Sequence, residues 1–104
     1  VPGNKLIEEF IGKMANNESS VSVAHMIAPP NWSEPHQKPM FDEITIMIRG
    51  KMQVVTENET IILQAGEVFL VNKNVKVQYS NPFNEENEYW AICIPAFSVD
   101  SAGR

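Results

Sequence analysis

His36, Lys38, Glu43 and Gly50 stand two, five and seven residues apart along "HQKPMFDEITIMIRG", residues 36–50. An imidazole and a carboxylate so spaced could ligate a divalent transition metal, the nitrogen binding iron, nickel, copper, zinc or manganese and the carboxylate supplying charge. Lys38 breaks the pattern. Its ammonium repels an ion and could ligate only after losing its proton. His36 and Glu43 alone fall short of the three or four protein ligands of a firmly held site. His25, the other histidine, lies upstream on a predicted strand. It could complete a set only by reaching within about 2.1 Å of the same ion. No cofactor is therefore predicted. A divalent metal on His36, Glu43 and His25 is the alternative.

Strands must position these residues. "DEITIMIRG" alternates, which puts Glu43, Thr45, Met47 and Arg49 on one face and Ile44, Ile46 and Ile48 on the other. Asp42 then faces away from Glu43, so "DE" is no acid/base dyad, and Arg49, at the strand's end beside Gly50, reads as solvent-exposed in spite of its parity. "SVSVAHMIA" is β-prone, and "PPNWSEPHQKP" is a proline-rich connection. "KMQVVTENETIILQAG" reads as a hairpin turning at residues 57–59. "EVFLVNKNVKVQYSN" reads as two strands broken at residues 72–74, and "EYWAICIPAF" as a last strand. Before them, "KLIEEFIGKMANN" places Leu6, Ile7, Phe10, Ile11 and Met14 at helical spacing, which predicts a short amphipathic helix. The prediction is one all-β domain: a helical segment over 1–20, a barrel over 21–97 and a polar tail over 98–104.

These residues carry a resemblance. The stretch from His36 to Gly50 resembles the first motif of the cupins, which runs H-x-H, three or four residues, E, six residues, G. "GEVFLVNKNVKVQYSN" resembles the second, which runs G, five residues, P-x-G, two residues, H, three residues, N. Gly66 and Asn81 match its ends. Asn72 and Asn74 replace the proline and glycine, and Val77 the third histidine. The resemblance covers about residues 21–97. It implies a double-stranded β-helix, or jelly-roll barrel, with a degenerate metal motif. Residues 79–98 look like a subgroup of small bacterial cupins of unassigned role, and the ethanolamine-utilisation cupins are a looser comparison. Fold alone does not choose among cupin functions.

In such a barrel Glu43 points inward with Thr45 and Met47, facing Val77 and Tyr79. A carboxylate there must find a partner, bind a ligand's cation or take up a proton. Two arrangements stay open. Lys38 turns into the mouth and pairs with Glu43, or Lys38 meets solvent and Glu43 bonds Tyr79 or a backbone amide. Trp32 could lid the mouth or anchor a dimer contact. The leading expectation is a module binding a polar small molecule through Glu43, Thr45, Met47, Val77, Tyr79, Lys38 and Trp32. The alternative is an enzyme: a metal-dependent oxygenase or isomerase, or a metal-free isomerase or epimerase with Glu43 as base and Tyr79 as acid.

Composition narrows the partners. The formal net charge is −5, with 8 Lys and Arg against 13 Asp and Glu, which lacks the footprint of a nucleic-acid binder and any polybasic membrane anchor. No targeting segment is read at the N-terminus, and no apolar run reaches the roughly 20 residues that span a bilayer. One cysteine, Cys93, rules out a disulfide within the chain and fits a reducing cytoplasm. Set among strand apolars, Cys93 reads as a buried hydrophobe. The isoleucine face suits packing between barrels, so a homodimer is expected.

Overall fold

The computed structural model describes residues 5–103. Among the described residues nine strands run β1 (Leu6–Ile11), β2 (Ser22–Ala28), β3 (Trp32–Ser33), β4 (Asp42–Arg49), β5 (Lys51–Thr56), β6 (Thr60–Gln64), β7 (Val68–Val71), β8 (Val77–Asn81) and β9 (Asn87–Ile94). They form a five-stranded sheet in the order β1-β2-β9-β4-β7 and a four-stranded sheet in the order β3-β8-β5-β6, with every ladder antiparallel. This is the jelly-roll arrangement that the resemblance implied.

The turn chemistry explains where the chain reverses. Gly50, between β4 and β5, has φ 76°, and a Cβ there would meet the Glu86 carbonyl oxygen at 2.9 Å. Only glycine adopts that conformation without strain. Asn74 takes φ 66° in the turn between β7 and β8, as a short polar side chain tolerates. The motif asparagine, Asn81, is a tie. Its fully buried amide nitrogen lies 2.8 Å from the Glu85 carbonyl oxygen, 3.1 Å from that of Pro29 and 3.2 Å from that of Ala28. Two amide protons are thus shared among three acceptors, while Asn81 Oδ1 accepts from Phe83 N–H at 3.2 Å.

The N-terminal segment differs from its helical prediction. Leu6–Ile11 is a strand paired with β2, and the helix, α1, is one turn at Lys13–Asn16. Gly12 weakens a helix over this segment, and a free helix of that length is marginal in water. Pairing with β2 satisfies the backbone instead. The Glu9 carboxylate accepts the Met14 and Ala15 N–H groups at 3.0 and 2.8 Å. The polar tail also folds back: Gly103 O accepts Lys38 N–H at 3.0 Å and Ser101 O accepts Met40 N–H at 2.8 Å.

Between the sheets, one end is packed solid by Met47, Met52, Val54, Leu63, Val71 and their neighbours. The other end stays open. Asn81→Ala strands three carbonyls and is expected to lower the unfolding free energy by about 1–3 kcal/mol, read from urea denaturation.

Candidate functional site

The open end is a cavity of about 400 Å³. Its floor follows from the register of three strands. Across the inner face, Ser22, Cys93 and Glu43 form one row, Ala24, Ala91 and Thr45 the next, and Met26, Tyr89 and Met47 the third. Small side chains at Ser22, Ala24, Ala91 and Cys93 leave the space that Met47 and Tyr89 fill further along. Tyr79 of β8 faces this floor, and Glu34 and Gln37 come in from the proline-rich connection. Phe41 and Phe97, with ring centroids 5.9 Å apart, wall one side. Lys5, Ile7 and Glu9 from the N-terminal edge wall another.

The predicted residues divide. Glu43 and Tyr79 line the cavity, as the strand parity and the motif placed them. Thr45, Met47 and Val77 face inward but lie in the packed interior and outside the cavity wall. Trp32 is 3 % exposed within the core and outside the cavity wall, so it is not a lid over the mouth. Lys38 is exposed and outside the cavity wall, which does not realise the Lys38–Glu43 pairing. The alternative Glu43–Tyr79 bond is absent too. The Tyr79 hydroxyl is buried and has no hydrogen-bond partner among the described residues. The buried Thr45 hydroxyl is in the same condition.

His36 is exposed, whereas Gln37 is 4 % exposed, bridges to Val77 and points its amide to Glu34 Oε1 at 3.1 Å. The first motif permits three or four residues before its glutamate. With three, Gln37 takes the first histidine position and Pro39 the second. Glu34 and Gln37 escaped the sequence reading because they sit in a proline-rich connection without a period. The three-residue spacing was the one signal available for Gln37.

His25 projects from the opposite face of the sheet. Its Nε2 lies 2.6 Å from Glu88 Oε2 and its Nδ1 3.2 Å from Glu8 Oε1, and its ring stands 5.1 Å from that of Trp90. Arg49 joins this cluster through Glu86 at 3.1 Å and Glu88 at 3.4 Å. Parity would have placed Arg49 inside, but a register shift between Met47 and Arg49 reverses it. Neither histidine reaches the cavity, Val77 has no lone pair, and the described residues hold no group of three His, Cys, Asp or Glu able to bind an ion. The donor set does not fit the metal that cupins often carry.

Electrostatics inside the cavity favour neutral phenols and thiol. Burial, then the Glu43 and Glu34 carboxylates, push the Tyr79 hydroxyl well above its ordinary pKa. Burial, then Glu34 and Glu43, do the same to Tyr89. Burial, then Glu43, push the Cys93 thiol far up, which makes it a poor nucleophile. Tyr89 also lines the cavity.

Comparison with known proteins decides the family. Residues 35–96 match the family model described as ethanolamine utilisation protein EutQ. The chain belongs to the EutQ family. A curated relative, the endoribonuclease YbeY of Myxococcus xanthus, is 44 % identical over 98 residues, which are 94 % of this chain. The chain spans about one third of that relative's length. The EutQ protein of Clostridium difficile superposes with a TM-score of 0.73 at 16 % identity, over 88 % of this chain and 63 % of that one. An RmlC-like cupin of Methanocaldococcus jannaschii superposes with a TM-score of 0.77 at 20 % identity, over 90 % and 83 %. At these identities the structural likeness is one of fold. No helix among the described residues is long and apolar enough to cross a membrane.

The outer cluster carries a pH dependence. The hydrogen bond to Glu88 raises the His25 pKa above 6.5, burial opposes it, and Glu8 adds to the rise. A raised folded-state value means that the stabilisation is complete below about pH 6.5 and is lost as pH climbs through the higher value. Between pH 6 and pH 9 the urea midpoint should therefore fall for the native protein. It should fall less for His25→Gln.

Proposed function

We propose that this EutQ-family chain is a binding module that holds a polar small molecule in its barrel without a firmly held metal. The observation that carries the reading is the Tyr79 hydroxyl. A buried polar group without a partner costs about 1–3 kcal/mol, which a ligand atom hydrogen-bonded to it would recover. Its surroundings suit that role: about 400 Å³ lies within the range of small-molecule pockets, mostly apolar walls carry a few converging polar groups, and Glu43 faces Tyr79 across the space.

A second reading has one observation in its favour, namely that a carboxylate and a neutral phenol meet in one cavity. In it Glu43 removes a proton from carbon and Tyr79 supplies one, as in an isomerase or epimerase. Exchange of solvent deuterium into a bound carbonyl compound would mark this activity, and simple binding leaves the ligand unlabelled. The relative's endoribonuclease name attaches to a protein three times as long. With a net charge of −5, this chain is proposed to leave nucleic acid to the remainder of that protein.

Two copies are proposed to pack through the outer face of the five-stranded sheet. Rows Leu70–Ile44–Ile92–Val23 and Val68–Ile46–Trp90 cross it, and its border carries Arg49 beside Glu86 and Glu88, so the face offers both signs of charge to its own copy. Sedimentation equilibrium at micromolar concentration should show a dimer, and Ile46→Lys should give a monomer. A native monomer would contradict the reading.

The binding reading is tested by thermal shift against a panel of small cations, carboxylates and sugars. A compound that stabilises the native protein should bind Glu43→Gln at least about tenfold more weakly and Tyr79→Phe about fivefold more weakly. Circular dichroism should show both variants folded. Unchanged affinity in both would remove the anchor.

A further inference from the structure

One side chain already sits where a ligand would. Lys5, immediately before β1, lines the cavity and places its Nζ 4.1 Å from the centroid of the Trp32 ring and 5.1 Å from that of Tyr89. Both distances fall within the roughly 6 Å over which a ring's face attracts a cation. Both rings are nearly inaccessible, Trp32 at 3 % and Tyr89 at 2 % exposure. A lysine ammonium is strongly hydrated, and its flexible four-carbon stem loses rotamer freedom when held in one place. Lys5 is half-buried, and holding its ammonium over these rings requires a compensating field.

That field has identifiable sources. The Glu34 and Glu43 carboxylates line the cavity together with Lys5, Tyr79 and Tyr89 and act electrostatically on both tyrosines, so the cavity carries negative potential. Gln37 fixes Glu34 by donating to its Oε1 at 3.1 Å. The Tyr79 hydroxyl, without a partner among the described residues, supplies a further polar contact to whatever enters. Lys5 itself adjoins the outermost strand of its sheet, beyond the Leu6–Ile27 pair that begins the ladder. Its side chain can leave without parting the barrel.

We infer that the rings of Trp32 and Tyr89, with Glu34, form a subsite for the ammonium group of a small organic amine, and that Lys5 occupies this subsite in competition with the ligand. The inference rests on the cavity being a binding site and adds the ligand's chemical class and a plug internal to the chain. The amine enters protonated, its alkyl part lies against the small residues of the floor, and the Lys5 ammonium moves to water. No bond is made or broken.

The test uses n-butylammonium, n-butanol and butyrate as probes on the full chain, followed by the amide resonances of Ala24 and Ala91. Butylammonium should bind Lys5→Ala at least tenfold more tightly than the native protein, while Lys5→Arg, which keeps a cation in place, should bind it no more tightly than native. Adding Glu34→Gln to Lys5→Ala should weaken butylammonium about tenfold and leave butanol unchanged. If butanol or butyrate shifts these amides as strongly as butylammonium does in Lys5→Ala, the cavity binds ligands but the ammonium subsite is wrong. The subsite is equally wrong if Lys5→Ala gains nothing. If none of the three probes moves either amide in any variant, the cavity is not a binding site and both readings fall.

Discussion

The pairing of β4 with β9 governs what the interior can do. In that ladder Glu43 stands opposite Cys93, Thr45 opposite Ala91 and Met47 opposite Tyr89. All six face inward because side chains alternate across a strand. A slip of one residue would exchange the carboxylate for isoleucines and turn the floor of the cavity to solvent. The register is held at one end by the glycine turn at residue 50, and there the bulge before Arg49 sends the next charge to the outer face. Two consequences follow from one ladder: an acidic interior, and an ion cluster of His25, Arg49, Glu8, Glu86 and Glu88 on the opposite side.

The cavity is a matter of side-chain volume. One end of the space between the sheets is filled and the other is not. Methionine, leucine, valine and tyrosine close the packed end. Serine, alanine and cysteine leave the other open. Small residues at four floor positions forgo the roughly 0.8 kcal/mol that each additional buried methylene would contribute. Keeping polar groups such as Glu43, Glu34 and the Tyr79 hydroxyl beside that space costs further stability.

Much of this was legible in the residues. Alternation from Asp42 to Arg49 placed Glu43 inward and the isoleucines outward, and the hairpin at residues 57–59 and the break at 72–74 are where turn residues marked them. Gly50 and Asn81 fell at motif offsets for reasons the structure makes plain: a left-handed turn and a shared amide. The failures have equally definite causes. Leu6, Ile7, Phe10 and Ile11 satisfy a helical period and a strand's two faces alike, and only pairing with β2, from Leu6 with Ile27 to Ile11 with Val23, decides between them. Glu34 and Gln37 lie in a connection without a period, so no pattern announced that they turn inward. Arg49 is exposed, as its place at the strand's end suggested, but the bulge that turns it outward leaves no mark in an alternating stretch. Lys5 meets Trp32 and Tyr89 through the fold alone, across separations that no spacing rule spans.

The position of β1 at the rim of its sheet has a kinetic meaning. It is held by a single ladder, with a bulge between Glu9 and Ile11, and it contributes Ile7 and Glu9 to the cavity wall. Outer strands exchange their amide hydrogens through local openings of low free energy, while the middle of a sheet waits for wider unfolding. β1 is thereby the part of the cavity wall that opens at the lowest free energy, while the middle strands that carry Glu43 and Tyr89 stay paired.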